Sequence, residues 1–472
     1  MRHLFTSLLF VASILTGCAG FLDRAPVSEM VADNFFRTGA DAESSLSAAY
    51  DMLQSEYYIF DMFINGDVVA DDCYAGGDNP NNFQLDQFAI ATTNINVERD
   101  WRYLYEGISR ANAVLANVGD IDAPDLTASR QSEILGEAAW LRAFHYFQLV
   151  NLWGEVPLIT ELVTSTAPEI VHKPKASTED IYRQIISDLE FALTHVAQTN
   201  DDRGKITIGA VHGLLAKAHA FKPQPDWGLV DAHAAQVVES GDYQLLSSFD
   251  HLWDGNHENS VESIFEIQYQ GGTNEANWGP QLLLPPSKTG DNWRKFNTPS
   301  NDLIEAYLAA GDQVRLNASI LFEENLPWQD ANFPDGNIPF PYKLRNANGW
   351  SSPNNVILLR LADIILLQAE AKNQLGQLEA SKILLNEVRV RVNLPANTDS
   401  QPEELQTAIE LERRLELAFE GHRWFDLKRS GRAIETMNAL GLGYQVNSDK
   451  LVFPIPQNEM DRNPELLQNK GY

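Results

Sequence analysis

The sequence predicts a mainly α protein, a tetratricopeptide-like helical hairpin scaffold that carries an irregular, loop-rich lobe. Three observations predict it. Apolar residues recur at helical spacing over most of residues 41–241 and 355–472. Two helix pairs within those stretches each span roughly 34 residues, the period of tetratricopeptide-type hairpins. Between them, residues 242–354 lose helical periodicity, gather Gly, Asn and Pro, and hold five of the ten tryptophans.

The chain opens with Arg2, a mostly apolar run over 4–15, and the small residues Thr16, Gly17 and Cys18. This is the layout of a secretory signal over 1–17, too short for a comfortable transmembrane helix. A cysteine directly after Leu15-Thr16-Gly17 is where bacteria attach lipid and cleave, so Cys18 is read as the lipidated N-terminus and 18–40 as its tether. No second run of eighteen apolar residues occurs in the sequence, and residues 41–472 read as one domain.

Helices are predicted over about 42–57, 99–118 and 131–152, the last broken at Gly154 and Pro157. Ser177-Thr178-Glu179-Asp180 has capping-box spacing and opens a helix to about 196. The hairpins follow: 208–221 with 229–240, stopped by Gly241, and 355–375 with 378–392 across Gly376. Generic hairpins without repeat stacking fit this pattern equally well. Residues 264–267 read as a short strand, and 66–97, rich in Asp, Asn and Gly, as loop.

The formal charge of −30 becomes −31 once residues 1–17, with Arg2 as their one charged residue, are removed. Such a chain does not bind nucleic acid through phosphates, nor an anionic bilayer through a basic patch. After lipidation of Cys18 only Cys73 remains, so no intramolecular disulfide forms and packing must supply the stability.

The run 411–429 reads Leu-Glu-Arg-Arg-Leu-Glu-Leu-Ala-Phe-Glu-Gly-His-Arg-Trp-Phe-Asp-Leu-Lys-Arg. The run reads as part of the C-terminal helix, where Ala408, Leu411, Leu415, Ala418, His422 and Phe425 make one apolar stripe with His422 inside it, and Glu410, Arg413, Arg414 and Glu416 are placed for ion pairs on the other faces. A His, Glu and Arg cluster invites a catalytic reading, but a histidine on an apolar seam is usually a hydrogen-bonded core residue.

That run closely resembles the C-terminal signature of the SusD/RagB family, outer-membrane nutrient-binding lipoproteins of Bacteroidetes. Other segments agree: Gly136-Glu137-Ala138-Ala139-Trp140-Leu141-Arg142 through Pro157, Arg360-Leu361-Ala362-Asp363 through Ala371, the early set Trp101, Tyr105, Ile108 and Asn112, and Pro454-Ile455-Pro456-Gln457 with Gly471-Tyr472. The resemblance implies four tetratricopeptide-like hairpins as a platform and an irregular lobe with the binding face. It implies a non-catalytic, surface-exposed lid that captures oligosaccharide and passes it to a SusC-like TonB-dependent transporter, anchored by lipid to the outer membrane and facing the exterior. A RagB-like branch would take peptide instead. Asp23 suits the family's acidic export cue after the lipidated cysteine.

Long irregular segments on a helical scaffold usually carry function, so 242–354 is the expected ligand lobe. A glycan presents apolar C–H faces and hydroxyl rims, which call for flat rings and a few polar side chains. The candidate rings are Trp278, Trp293 and Trp350, with Tyr74 and Phe83 from the earlier loop; the polar candidates are Asp72, Asn79, Asn82 and Arg294. Trp101, Trp140, Trp153, Trp227, Trp253 and Trp424 lie in or beside scaffold segments and are read as core. Clustered Asp71, Asp72 and Asp78 would suit Ca²⁺, but they lack EF-hand spacing and read first as a solvated loop, so no cofactor is expected. No His-Glu-x-x-His, Gly-x-Ser-x-Gly or phosphate-loop motif is present, which leaves a glycoside hydrolase or a protein-assembling scaffold as the weaker alternatives.

Overall fold

The computed structural model describes residues 35–199, 202–273 and 275–472. The signal segment, Cys18, Asp23 and most of the tether lie outside the described residues. The first helix, α1 (Gly39–Asp51), starts where Thr38 and Asp41 make a reciprocal capping box. Long helices α3 (Ile95–Asn117) and α4 (Ala128–Trp153) follow a short α2 (Pro80–Asp86). Glycine ends α4 as its sequence predicts, Gly154 adopting φ 72°. Helix α5 (Thr178–Leu193) begins at Ser177, whose hydroxyl accepts from the Asp180 amide at 3.1 Å.

The predicted hairpins are α6 (Ile208–Phe221) with α7 (Trp227–Val238), and α10 (Leu361–Gln374) with α11 (Leu378–Arg391). Each of α3 to α6 packs on the next helix, and α7 packs directly on α10, so the two hairpins meet although the lobe lies between them in sequence. Among the described residues no helix is long and apolar enough to cross a membrane.

Residues 355–360 are not helical. They form β6 (Val356–Arg360), antiparallel to β2 (Ser263–Ile267), and α10 starts only at Leu361. A short apolar run such as Val356-Ile357-Leu358-Leu359 fits strand or helix by periodicity, and pairing with β2 decides it. The predicted strand at 264–267 lies within β2. The lobe also contains β3 (Asn297–Pro299), α8 (Asn301–Ala310), α9 (Gln313–Ser319) and the antiparallel pair β4 (Ile320–Glu323) and β5 (Ile338–Pro341).

The run 411–429 is likewise not one helix. Helix α12 (Pro402–Leu417) stops, Phe419 and Gly421 take φ 65° and 76°, and α13 (Arg423–Arg429) starts afresh. A second backbone enforces this break: a Cβ on Gly66 would lie 2.2 Å from the Gly421 carbonyl oxygen. His422 therefore leaves the stripe and stands at the N-terminus of α13, with its Nδ1 3.4 Å from the Lys217 ammonium.

The break also turns the carboxylates of α12 inward. Glu416 meets Arg360 at 2.6 Å, Arg315 at 2.9 Å and Arg391; Glu420 meets Lys343 at 2.6 Å and Arg360 at 2.7 Å. Glu412 bridges Arg315 and Arg389, and Asp363 bridges Lys217 and Arg413. These carboxylates are buried. Burial alone would raise the Glu416 pKa, but Arg391, Arg360 and Arg315 outweigh it and hold it well below the usual carboxylate range. Arg315 and Lys343 come from the lobe and Arg360 ends β6, which pairs with the lobe strand β2, so this network fastens lobe to scaffold.

Candidate ligand-binding face

The two segments that resist helical reading are far apart in sequence and adjacent in space. Strand β1 (Cys73–Ala75) pairs antiparallel with β3, setting Tyr74 opposite Thr298. Ser300 ties the corner, its amide donating to the Asp72 carbonyl at 2.8 Å and its hydroxyl to the Asp71 carbonyl at 2.6 Å. The approach is close: a Cβ on Gly76 would sit 2.0 Å from the Lys295 carbonyl oxygen.

Behind this corner, the scaffold grips the acidic pair. Arg423 takes Asp71 through two bonds of 2.7 and 2.8 Å, and Arg414 takes Asp72 at 2.6 Å. Burial would raise Asp71, yet Arg423 and Arg414 hold it below its ordinary value; for Asp72 burial wins and the pKa rises. Two predictions change accordingly. Asp72 is fully buried and ion-paired, so it is not an exposed partner for a ligand. Guanidinium groups occupy the positions that Ca²⁺ would need around Asp71 and Asp72, and Asp78 stands apart in solvent.

Asn82 is also fully buried, its side-chain oxygen accepting from Asn96 Nδ2 at 2.7 Å, which corrects its reading as an exposed polar group. Asn79 spends its side-chain oxygen as the N-cap of α2, accepting from the Asn81 amide at 2.9 Å. Phe83 is half-buried against the main core. Such assignments escape the sequence because caps and buried amides use the same residue types as loops and ligand sites.

The candidate rings divide by exposure. Trp278 and Trp293 are half-buried and linked through two phenylalanines: Trp293 meets Phe296 edge-on at 5.2 Å, Phe296 meets Phe60 at 5.7 Å, and Phe60 lies 6.1 Å from Trp278. Phe60 belongs to the π-helical turn Tyr57–Asp61, a departure from α geometry that periodicity does not reveal. Trp350 is 58% exposed, on a 3₁₀ turn (Gly349–Ser351) packed beside the turn Gly279–Leu283 that follows Trp278. Of the tryptophans read as core, Trp101, Trp140, Trp153, Trp253 and Trp424 are buried and Trp227 is half-buried.

Arg294 has partners distant in the sequence. Its guanidinium binds Asp330 at 2.5 Å and lies 5.6 Å from the Trp328 ring centroid, while Trp328 Nε1 donates to the Asn292 carbonyl at 2.9 Å. Tyr74 and Trp328 pack against one small apolar cluster of Phe333, Ile338 and Phe340. Tyr74 also lines a cavity of about 810 Å³, shared with Asp86, Gln87, Asn301, Asn332 and Tyr444. Burial raises Asp86 to about 6, against the opposing Ala75 amide. Leu442, Tyr444 and Asn332 were not among the sequence candidates; the one available signal was an exposed leucine between two glycines, Gly441-Leu442-Gly443.

The SusD family profile matches residues 339–472, and a profile described as "Starch-binding associating with outer membrane" matches residues 20–219. A curated relative, SusD-like protein P38 of Formosa agariphila, is 28% identical over 98% of both chains. A solved laminarin-binding SusD-like protein shares 27% identity with a TM-score of 0.78, covering 92% of this chain and all of that one. A SusD superfamily protein from Bacteroides vulgatus superposes with a TM-score of 0.80 at 22% identity, over 93% of this chain and 100% of its own, a likeness of fold. With both terminal portions matching the family's profiles and more than nine-tenths of the chain following its fold, the protein belongs to the SusD family.

Proposed function

We propose that this protein is a non-catalytic glycan-capture lipoprotein of the outer membrane, anchored through Cys18, exposed to the exterior, and seated as a lid on a SusC-like TonB-dependent transporter. The observation that carries the reading is the β1–β3 corner. It joins the two irregular segments into one face, where Tyr74 lines an open cavity of about 810 Å³ and shares an apolar cluster with Trp328, and where Trp293 directly precedes Arg294, whose guanidinium lies over the Trp328 ring. Rings and amides in that arrangement suit the C–H faces and hydroxyl rims of a sugar. The solved relative described as laminarin-binding, similar along nearly the whole chain, supports a glycan ligand. The profile that names association with the outer membrane supports the location.

The ligand is an uncharged glycan. The described residues lining the cavity include Asp86, with Asp71 and Asp302 already matched by Arg414 and Arg423, and no lysine or arginine that could hold a sulfate or uronate, which disfavours anionic chains. The charge-rich run 411–429, where a catalytic reading would look first, is committed to ion pairs with the lobe through Arg315 and Lys343 and within the scaffold through Arg360 and Asp363.

The test is retardation of the body from residue 19 onward in gels cast with neutral and acidic polysaccharides, alongside an assay for new reducing ends. Retardation by a neutral glycan without hydrolysis is the expected result. Release of reducing ends overturns the non-catalytic role. Silence across the whole panel turns the assignment towards a peptide ligand.

A further inference from the structure

The loop after the 3₁₀ turn Phe249–Leu252 has no part in the proposed glycan face. Phe249, Leu252 and Trp253 are buried with Ala318, Val392 and Leu394 in a second apolar cluster. The Lys343 ammonium lies 4.6 Å from the Trp253 ring centroid and further fixes it. His251 sits between these anchors. Downstream, the Asp254 carboxylate accepts from the Asn256 amide at 2.8 Å, and Gly255 turns the chain at φ 71°. That turn folds His257 back over His251, with ring centroids 4.2 Å apart and planes within 8°. His257 Nδ1 lies 2.8 Å from Asp254 Oδ2.

Two imidazoles and a carboxylate thus converge, one donor atom from each lying within 4.8 Å of the others. Among the described residues, no other cluster of three or more His, Cys, Asp or Glu side chains meets this geometry. We propose that His251, Asp254 and His257 form a surface site for a divalent transition-metal ion, with Zn²⁺ the best fit. Imidazole nitrogens with one carboxylate suit Zn²⁺, Co²⁺ or Ni²⁺, whereas Ca²⁺ and Mg²⁺ require oxygen-rich cages.

Zinc–ligand bonds of about 2.0–2.2 Å need the donors drawn slightly closer, which χ rotation of accessible side chains on an anchored loop achieves. Asp254 now holds His257 Nδ1; a metal ion would take the place of the proton between them, so binding requires neutral imidazoles and weakens in acid. Three protein donors leave the fourth position open, and His257 is exposed, so that position faces solvent and is free for water or a donor from another molecule.

A competing site must be separated in the test. His212 Nδ1 and His233 Nδ1 approach to 3.0 Å across the α6–α7 hairpin, but no third donor joins them within the same reach. Untagged full-length protein in detergent is dialysed against Zn²⁺, and Co²⁺ is added separately to read its visible d–d bands. The expected result is one Zn²⁺ per chain and a Co²⁺ spectrum. His251→Ala or His257→Ala should each weaken binding at least about tenfold, with a smaller loss for Asp254→Asn. A His212→Ala/His233→Ala protein should bind as the original does, and millimolar Ca²⁺ should not compete. Urea midpoints in chelator, unchanged in His257→Gln, separate loss of a ligand from loss of the fold. Zn²⁺ uptake that survives the His251→Ala/His257→Ala double change, or no uptake at about 100 μM metal, overturns the site.

Discussion

The network around α12 and the face around β1–β3 are both rich in polar groups, yet they use them in opposite ways. In the network each carboxylate is buried and already matched: Glu416 alone meets Arg315, Arg360 and Arg391. On the face, Gln87, Asn301 and Asn332 are exposed and keep bonding capacity for something else. A dense run of Glu, Arg and His is therefore no sign of chemistry when geometry has paired every member. Buried paired charges resist change because removing one strands the rest. Loop amides can be exchanged with little harm to the fold, which frees that face to vary with the ligand.

The sharpest way to break this comparison is to uncouple the network. Glu416→Gln keeps the shape and leaves three guanidinium groups around a neutral amide, which should cost about 3–5 kcal/mol. Urea unfolding measures it, and a loss below about 1 kcal/mol would mean that the network is not what fastens the lobe. The complementary change acts on the face. Trp293→Ala or Trp328→Ala should weaken glycan binding by about 1–3 kcal/mol, ten- to a hundredfold, with Trp350→Ala and Trp278→Ala as neighbouring probes. Titration against the glycan identified by gel retardation reads this directly. If all four variants bind like the original, the face has been placed on the wrong side of the lobe.

A smaller effect separates burial from pairing. His145 is fully buried on α4, its Nδ1 2.8 Å from the Tyr58 hydroxyl, and burial lowers its pKa to about 3. A lowered folded pKa means that the unfolded chain takes the proton first. The neutral imidazole therefore contributes stability above the unfolded value of about 6.5, and that contribution falls by on the order of 1.4 kcal/mol per pH unit below it. His145→Gln should thus be most harmful near pH 7 and lose its penalty towards pH 4. A gap between the two urea midpoints that stays constant over that range would show that His145 takes up its proton in the fold as it does in the unfolded chain, so that burial does not shift it.

The parts legible in the sequence were those set by local rules. Helix α6 has the predicted bounds because its apolar positions, small residues and the Lys222-Pro223 exit all act within the helix. The strand β6 and the break after Leu417 were read as helix because their causes lie elsewhere in the chain, in β2 for one and in Gly66 for the other. The site shows the same division. Trp293 and Tyr74 could be nominated from the company they keep, but Trp328 became a candidate only through Arg294, and Asp72 lost its place only through Arg414. Exposure and partnership at long sequence range decide such residues, and neither is encoded in spacing.

Asn79 stands at the boundary between the two regions and offers the finest test. By residue type it suits a sugar hydroxyl, whereas its side-chain oxygen caps α2, directly after the corner that β1 builds. A cap and a ligand contact make different demands. Serine caps a helix about as well as asparagine, while alanine does not, and losing the cap costs about 1 kcal/mol. A hydroxyl-binding amide is replaced by neither, since serine lacks its reach and its second donor. Asn79→Ser should therefore leave both the urea midpoint and glycan affinity near their original values, and Asn79→Ala should lower the midpoint alone. Should Asn79→Ser keep the midpoint but lose affinity tenfold, the side chain serves the ligand as well as the helix, and the line between fastening and binding residues runs through α2 rather than before it.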